Sequence, residues 1–134
     1  MTAPFTPGEF FPEHIGLEIG EATVDRVTGT LEASGSHHQP YGVVHGGVYC
    51  SIVETLASIG GAMWAMERGM AGVVGVSNTT DFLRPHMNGP LSAVATPIHR
   101  GRTQQLWQVE ITNSDGKLVA RGQVRVQNLT ELPG

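Results

Sequence analysis

The feature that most constrains the fold is the stretch of residues 48–66, which contains no proline and repeats apolar residues at helical spacing. One face of this predicted helix is apolar and suits packing on a sheet, whereas a second face is small or polar. Because the helix carries almost no charge before its end, it is expected to be buried on nearly all sides. The apolar face comprises Tyr49, Ile52, Val53, Leu56, Ile59 and Met63, and the second face comprises Gly47, Cys50, Glu54, Ser58 and Gly61.

The segments on either side of the helix predict antiparallel strands. Residues 16–34 mix β-branched residues with charges and suit one or two strands with a bend. Further strands are predicted over 73–83, 91–99, 104–112 and 117–127. One buried helix among such strands indicates an α+β fold, in which a curved antiparallel sheet wraps around one long central helix. Since one sheet is a thin layer, the small-residue face of the helix also predicts dimerisation.

Length and composition bound the domain organisation and the class of partner. A chain of 134 residues fits a single domain, 1–134, with residues 1–14 as an N-terminal arm rich in proline and phenylalanine. We expect a cytoplasmic protein, because no secretory signal opens the chain and its single cysteine suits a reducing compartment. The longest apolar stretch contains Glu54 and several glycines, so we do not expect it to span a membrane. A formal net charge of −4 argues against a nucleic-acid surface.

The start of the predicted helix carries a pattern that suits the stabilisation of an oxyanion. A segment beginning at Gln39 leads through His45, Gly46 and Gly47 directly into the helix. The first N–H groups of a helix have no intrahelical acceptor, and glycine lets a ligand oxygen approach the backbone. Such groups can stabilise negative charge that develops on a carbonyl oxygen. His45 is expected to orient this segment through hydrogen bonds rather than to act as a general base.

Glu54 is the candidate catalytic carboxylate. It lies two turns into the helix beside Cys50, Ser58 and Gly61, which do not form a solvated face. We therefore expect Glu54 to be buried, and a buried acid costs free energy unless it is paired or used. The alternative is that Glu54 is an ordinary surface acid, as most helix glutamates are, and that the two glycines only make a tight entry. The hydroxyl of Ser58, one turn further on, could hold a water or the substrate.

Other sites are weaker or absent in the sequence. His37 and His38 are adjacent and would point in opposite directions along an extended segment, so no metal site is predicted. Sequence motifs for a phosphate-binding loop, a dinucleotide-binding loop or a serine nucleophile elbow do not occur. Arg84, Arg100 and Arg102 either bind a small phosphorylated ligand, which the planar guanidinium suits, or are solvated strand charges.

These residues resemble a known family. The pattern formed by Gln39, residues 44–48, Glu54 and Ser58 resembles the hotdog-fold acyl-CoA thioesterases of the PaaI-like group. It is most similar to the branch that includes one type of 4-hydroxybenzoyl-CoA thioesterase, in which the helix acid is glutamate. Residues 78–85 and 99–111 are similar to the family's strands after the helix. The resemblance implies a hotdog fold and hydrolysis of an aryl- or acyl-CoA thioester to the free acid and coenzyme A, without a further cofactor.

The resemblance also implies a role for each matching residue. Glu54 would attack the thioester carbonyl or activate the water that does, while the N–H of Gly46, aided by Gln39, would polarise the carbonyl oxygen. Ser58 would position water. Sites of this family lie between subunits, which implies a dimer or a dimer of dimers (a homotetramer), with Glu54 opposite strand residues 76–79 of a partner. The substrate-binding residues implied are Gly47, Asn78, Thr79, Arg84, Arg100 and Arg102, of which Arg84 and Arg102 best suit the phosphates of coenzyme A.

Two other functions compete with thioester hydrolysis. A non-catalytic acyl-CoA-binding protein could use the same fold, but a pure binder has no need of the acid at Glu54. A hotdog hydratase or dehydratase pairs its acid with a catalytic histidine in a different motif, which His45 immediately before Gly46 does not reproduce.

Overall fold

The computed structural model describes residues 10–133, which form two helices, one short 3-10 turn and six strands. The predicted arm over residues 1–14 lies largely outside the described residues, and its described end is the short helix α1. The elements in chain order are α1 (Phe11–His14), β1 (Glu18–Ala22), β2 (Val27–Ala33), the 3-10 turn (Gly35–His37), α2 (Gly46–Glu67), β3 (Gly72–Phe82), β4 (Gly89–Arg100), β5 (Gln104–Thr112) and β6 (Leu118–Leu129).

All six strands belong to one open antiparallel sheet with the order β1-β2-β4-β5-β6-β3. Strand β3, the third in the chain, therefore lies beside the last strand and forms one edge of the sheet, while β1 forms the other. The α+β prediction is confirmed. The region predicted as one or two strands with a bend is two strands, which pair as a hairpin.

The helix α2 packs along the concave side of the sheet, and its contacts explain why small residues occupy its middle. Gly60 and Gly61 are both buried. A Cβ atom on Gly60 would lie 2.5 Å from the indole ring of Trp107, which is completely buried, so only glycine lets the helix approach the sheet this closely. By length and composition alone α2 is apolar enough to cross a membrane. In the structure it is the central helix of the hydrophobic core.

A buried network of polar side chains ties α2 to β5 and β6. The amide nitrogen of Gln105 donates to the carbonyl oxygen of Gly61 (3.0 Å) and to Oδ1 of Asn128 (2.8 Å). Its amide oxygen accepts a hydrogen bond from Nε1 of Trp107 (2.7 Å). Asn128 in turn donates to the carbonyl oxygens of Gly101 and Arg102 in the β4–β5 turn. Since both buried amides are fully bonded, the network fixes helix, sheet and turn relative to one another.

The expectation that α2 is buried on nearly all sides is wrong for the single chain. Tyr49, Ile52, Val53 and Leu56 are buried as expected. On the second face, however, Cys50 and Ser58 are only half-buried and Glu54 is exposed. The physical reason is that one sheet covers one side of a helix, so the remaining side stays open unless another molecule covers it. Ile59 and Met63, at the margin of the apolar face, are half-buried for the same reason.

Candidate active site

The loop before α2 is held by backbone hydrogen bonds that fix the position of Gln39. The N–H of Gln39 donates to the carbonyl oxygen of Val43 (2.9 Å), and the N–H of Gly42 donates back to that of Gln39 (3.0 Å). This tight turn requires the positive φ of Gly42 (83°), a conformation that glycine adopts without strain. The side-chain oxygen of Gln39 accepts a hydrogen bond from the N–H of Tyr41. Its NH₂ group is therefore the end of the side chain left to donate to a ligand.

His45 caps the N-terminus of α2 and leaves one N–H group available. Its Nδ1 accepts a hydrogen bond from the N–H of Gly47 (2.8 Å), and its carbonyl oxygen accepts one from Val48 (2.9 Å). Among the described residues, the N–H of Gly46 has no acceptor. Because the first N–H groups of a helix carry partial positive charge, Gly46 is placed to bind an oxyanion, whereas the N–H of Gly47 is already occupied.

Gln39 and Gly46 line the same cavity of about 250 Å³ at the start of α2. Tyr49 and Phe82 form aromatic walls with ring centroids 5.7 Å apart, and Arg84 also lines the cavity. A Cβ atom on Gly46 would collide with the Phe82 ring in its present position, so the absence of a side chain at Gly46 lets this ring pack against the helix start. Burial raises the pKa of the Tyr49 hydroxyl above its ordinary value. From the sequence, Tyr49 was predicted only as part of the apolar helix face, and neither Tyr49 nor Phe82 was predicted to line a site.

Glu54 lies beside an irregularity in the edge strand β3. A Cβ atom on Gly75 would be 3.8 Å from both Cδ and Oε2 of Glu54, so the carboxylate faces bare backbone. The register of β3 against β6 shifts between Gly75 and Ser77, which is a β-bulge at Val76. Bulges often re-aim groups next to active sites. The carboxylate is exposed and accessible to a ligand, although it was expected to be buried.

Glu54 and Gly46 do not meet within one chain. They lie on the same straight helix, eight residues apart, which corresponds to about 12 Å along its axis. A nucleophile has to come within about 3–3.5 Å of the carbon whose oxygen the N–H group holds. Within one chain the two candidate groups therefore cannot act on the same carbonyl.

The structure distributes the other candidate residues along β3 and α2. The amide nitrogen of Asn78 donates to the carbonyl oxygen of Cys50 (3.0 Å), which fixes β3 to the helix midway between Gly46 and Glu54. Thr79 is exposed on the same strand, and the half-buried Ser58 lies one turn beyond Glu54 on the same helix face.

The three candidate arginines lie in different surroundings. Arg84 lines the Gly46 cavity and forms no ion pair among the described residues. Arg100 is paired with Asp25 (3.0 Å) and lies 5.7 Å from the Trp64 ring, near the C-terminal end of α2. Arg102 is exposed in the β4–β5 turn. Of the three, only Arg84 is brought next to Gly46.

The side chains of the two histidines before the helix start lie within hydrogen-bond distance of backbone carbonyl oxygens. Nε2 of His37 is 2.6 Å from the carbonyl oxygen of Ile15, and Nε2 of His38 is 2.6 Å from that of Met87. Over residues 10–133, no three His, Cys, Asp or Glu side chains lie close enough together to hold a metal ion.

Comparison with known proteins identifies the family. The family model described as "Thioesterase superfamily" matches residues 41–120, which contain the helix start, α2 and most of the sheet. The solved structure of Rv1847/MT1895 from Mycobacterium tuberculosis is 44% identical, covers 91% of this chain and 98% of that chain, and superposes with a TM-score of 0.87. The thioesterase HI1161 from Haemophilus influenzae is 34% identical, covers 92% of this chain and 86% of that chain, with a TM-score of 0.82.

A curated relative agrees with this assignment. The proofreading thioesterase EntH from Cronobacter turicensis is 31% identical over 105 residues, which are 78% of this chain and 75% of the relative. The matched region includes a helix whose start offers a free N–H group and whose middle offers an accessible carboxylate. These features suit acyl transfer from a thioester without a metal or a triad. The chain therefore belongs to the thioesterase superfamily and is a thioester hydrolase with the hotdog fold.

Proposed function

We propose that the protein hydrolyses an acyl-CoA thioester to the free acid and coenzyme A in a site formed between two copies of the chain. The observation that supports this most directly is the separation of Gly46 and Glu54 along α2. Each group is accessible, each is suited to one half of the reaction, and neither can reach the other's target within one chain. A second copy of the chain can supply the Glu54 carboxylate that is out of reach of Gly46 in the first.

The edge strand β3 is suited to bring the second copy into place. Its backbone edge is unpaired, and its exposed side chains include Val74, Val76 and Phe82. Three contacts between β3 and α2 follow one another in order, so each of these positions along the strand lies beside a defined position along the helix. They join Phe82 to Gly46, Asn78 to Cys50 and Gly75 to Glu54.

Antiparallel pairing of β3 with its copy fixes which groups meet. Because Val76 is the extra residue of the bulge, Gly75 and Phe82 lie three strand positions on either side of Thr79. A two-fold axis at Thr79 places Phe82 opposite Gly75 of the partner subunit, across a strand spacing of about 4.8 Å. The same axis passes near Cys50, the midpoint of Gly46 and Glu54. It therefore brings the partner's Glu54 toward the N–H of Gly46.

In this arrangement Gly46 and Gln39 of one subunit and Glu54 of the other act on the same thioester carbonyl group. The thioester carbonyl oxygen accepts hydrogen bonds from the N–H of Gly46 and the amide of Gln39, which stabilise the charge that develops on it. The partner's Glu54 attacks the carbonyl carbon directly or takes a proton from the attacking water, with the hydroxyl of Ser58 placed to hold that water. The carbon–sulfur bond breaks, and coenzyme A leaves as a thiolate that takes up a proton. Where water attacks, the acyl group leaves directly as the acid. Where Glu54 attacks, the acyl–Glu54 anhydride is then hydrolysed by water, which releases the acid and restores the carboxylate.

Charged groups at the cavity suit the remaining part of the substrate. Arg84 lines the cavity, but its side chain is exposed and has no ion-pair partner among the described residues, so it can turn outward to a phosphate of coenzyme A, with Arg102 as a second candidate. Arg100 is already bonded to Asp25, so it is a weaker one. No cofactor beyond the substrate's own coenzyme A is required. The open face of α2, with Ile59 and Met63 half-exposed, suits a second contact that joins two dimers into a homotetramer in the cytoplasm.

Thiol release from a panel of aryl- and straight-chain CoA thioesters tests the activity. Hydrolysis of at least one member with saturation kinetics is expected. Tight binding of these thioesters without turnover would instead identify a non-catalytic acyl-CoA-binding protein.

Complementation between two inactive variants tests the shared site. Gln39→Ala impairs the carbonyl-binding half, and Glu54→Gln impairs the carboxylate half. Each variant alone is expected to be nearly inactive. After co-refolding, random mixing produces hybrids in which one of two sites is intact, which restores about a quarter of the wild-type rate. Absence of restoration in confirmed hybrid dimers would show that each chain carries a complete site.

A further inference from the structure

Tyr49 has a buried hydroxyl with no hydrogen-bond partner among the described residues. The residue lies one turn into α2 and is only 3% exposed. By contrast, the buried amides of Gln105 and Asn128 are fully bonded. An unbonded buried polar group is unfavourable, and phenylalanine would fill the same space without that penalty. The Tyr49 hydroxyl is therefore a group whose partner remains to be supplied.

The position of Tyr49 points to the acyl group of the substrate as that partner. Tyr49 is one of the residues that line the cavity of about 250 Å³ together with Gly46 and Gln39, and its hydroxyl is closed off from solvent in the free protein. When the thioester oxygen is bound to the N–H of Gly46, one side of the thioester has to occupy this cavity. The pantetheine arm and nucleotide of coenzyme A are far too large for it, so the compact acyl group enters and coenzyme A extends outward.

The hydroxyl is in the right state to bind an oxygen atom. Burial raises its pKa, so it stays protonated at neutral pH and can donate a hydrogen bond as well as accept one. In the free protein it gives up no existing bond when a ligand arrives. The new bond therefore favours a substrate that carries an oxygen over the same substrate without it.

We propose that Tyr49 determines acyl specificity by selecting compact acyl groups with an oxygen substituent that hydrogen-bonds to its hydroxyl. This inference rests on the thioesterase function proposed above. The aromatic rings of Tyr49 and Phe82 hold the apolar part of the acyl group, and the hydroxyl recognises the oxygen. The ring of Phe82 is more than half exposed, so it can move aside to admit the group.

Two matched pairs of substrates test this proposal. Butanoyl-CoA is compared with 3-hydroxybutanoyl-CoA, and benzoyl-CoA with hydroxybenzoyl-CoA, by kcat/KM. The wild-type protein is expected to prefer the oxygenated member of at least one pair by about tenfold or more. Tyr49→Phe is expected to abolish that preference by lowering kcat/KM for the oxygenated member. Tyr41→Phe, which removes a hydroxyl from a 91% exposed tyrosine, is the matched control and should keep the preference.

The outcomes separate this inference from the proposed function. If the protein hydrolyses CoA thioesters but neither pair shows a preference, or if Tyr49→Phe keeps it, the role of Tyr49 is overturned and the function stands. If no CoA thioester is hydrolysed, both fail. The melting temperature of Tyr49→Phe should equal or exceed that of the wild type, because an unbonded buried hydroxyl is lost. A clear decrease would show that the hydroxyl is bonded within the protein, which also contradicts the proposal.

Discussion

The two edges of the sheet differ in length, polarity and what lies beside them. Strand β1 has five residues, all exposed, including Glu18 and Glu21, and its pairing with β2 is interrupted by a register shift. Strand β3 has eleven residues, and its exposed side chains include Val76 (52%) and Phe82 (55%). Since the pairing of β3 with β6 also contains one register shift, the two edges differ in length and polarity: short, charged edges resist association, whereas long apolar edges favour it. Strand β1 is therefore suited to end the sheet, whereas β3 is suited to the proposed pairing with a second chain.

The largest difference in activity is expected between substitutions of two carboxylates, one beside β3 and one on β1. Glu54, which faces Gly75 of β3, is expected to supply the nucleophile or base, so Glu54→Gln should lower kcat at least about a hundredfold. Glu21 on β1 forms an exposed ion pair with Arg26 at 3.6 Å. Glu21→Gln should leave kcat unchanged, because such pairs contribute little. Equal activity of the two variants in a thiol-release assay would remove Glu54 from the mechanism.

A charge on each edge tests whether only β3 forms an interface. Val76→Lys places a cation in the proposed strand pair and should convert the dimer to a monomer, with activity reduced about tenfold or more because Gly46 loses the partner's Glu54. Ile19→Lys makes the same change on β1, where the side chain is 42% exposed. It should keep both the oligomeric state and the activity. Light scattering after size-exclusion chromatography and kinetics on the same samples measure both. A fully active monomeric Val76→Lys protein would contradict the shared site.

The smallest expected effects come from adding one methyl group at a glycine on each edge. Gly75→Ala brings a carbon 3.8 Å from the Glu54 carboxylate, an ordinary contact, in space that substrate or water has to use. Its kcat should fall about tenfold with little change in melting temperature. Gly20→Ala instead meets Oγ1 of Thr28 at 2.7 Å and displaces its hydrogen bond from the N–H of Glu21.

The Gly20→Ala variant should therefore lose about 1 kcal/mol of stability and a few degrees of melting temperature. Its kcat should stay at the wild-type value. Thermal unfolding and steady-state kinetics separate the two kinds of effect. If Gly75→Ala changed stability and not turnover, the space beside Glu54 would be structural only.

The part of the fold that depends on local pattern was predictable from the sequence. The helix predicted over 48–66 spans Gly46–Glu67, and the strand predicted over 104–112 has these bounds. In β6 the alternation of buried Val124 and Val126 with exposed Gln123 and Arg125 follows the sequence pattern. These features depend on periodicity and turn residues, which neighbouring positions encode.

The parts that depend on distant or absent neighbours were not predictable. Phe82 contacts Gly46 across 36 positions of the chain, and no local signal joins them. The pairing of Arg100 with Asp25 is equally non-local. The exposure of Glu54 could not be inferred from its small-residue surroundings, because these do not encode which side of the helix the sheet leaves uncovered. Gln39 and Gly46 could be predicted together because the short segment that begins at Gln39 leads directly into the first turn of the helix.

The position of β3 in the sheet has a consequence for biosynthesis. A ribosome produces β3 before β4, β5 and β6, yet its strand neighbour is β6, the last of the four. At about 5–20 residues per second, the nascent chain carries this apolar strand without a strand partner for several seconds. The edge proposed to pair with a second copy is completed only when residues 118–129 have left the ribosome. Until then both backbone edges of β3 lack a strand partner, and such unpaired apolar strands are prone to association with neighbouring nascent chains.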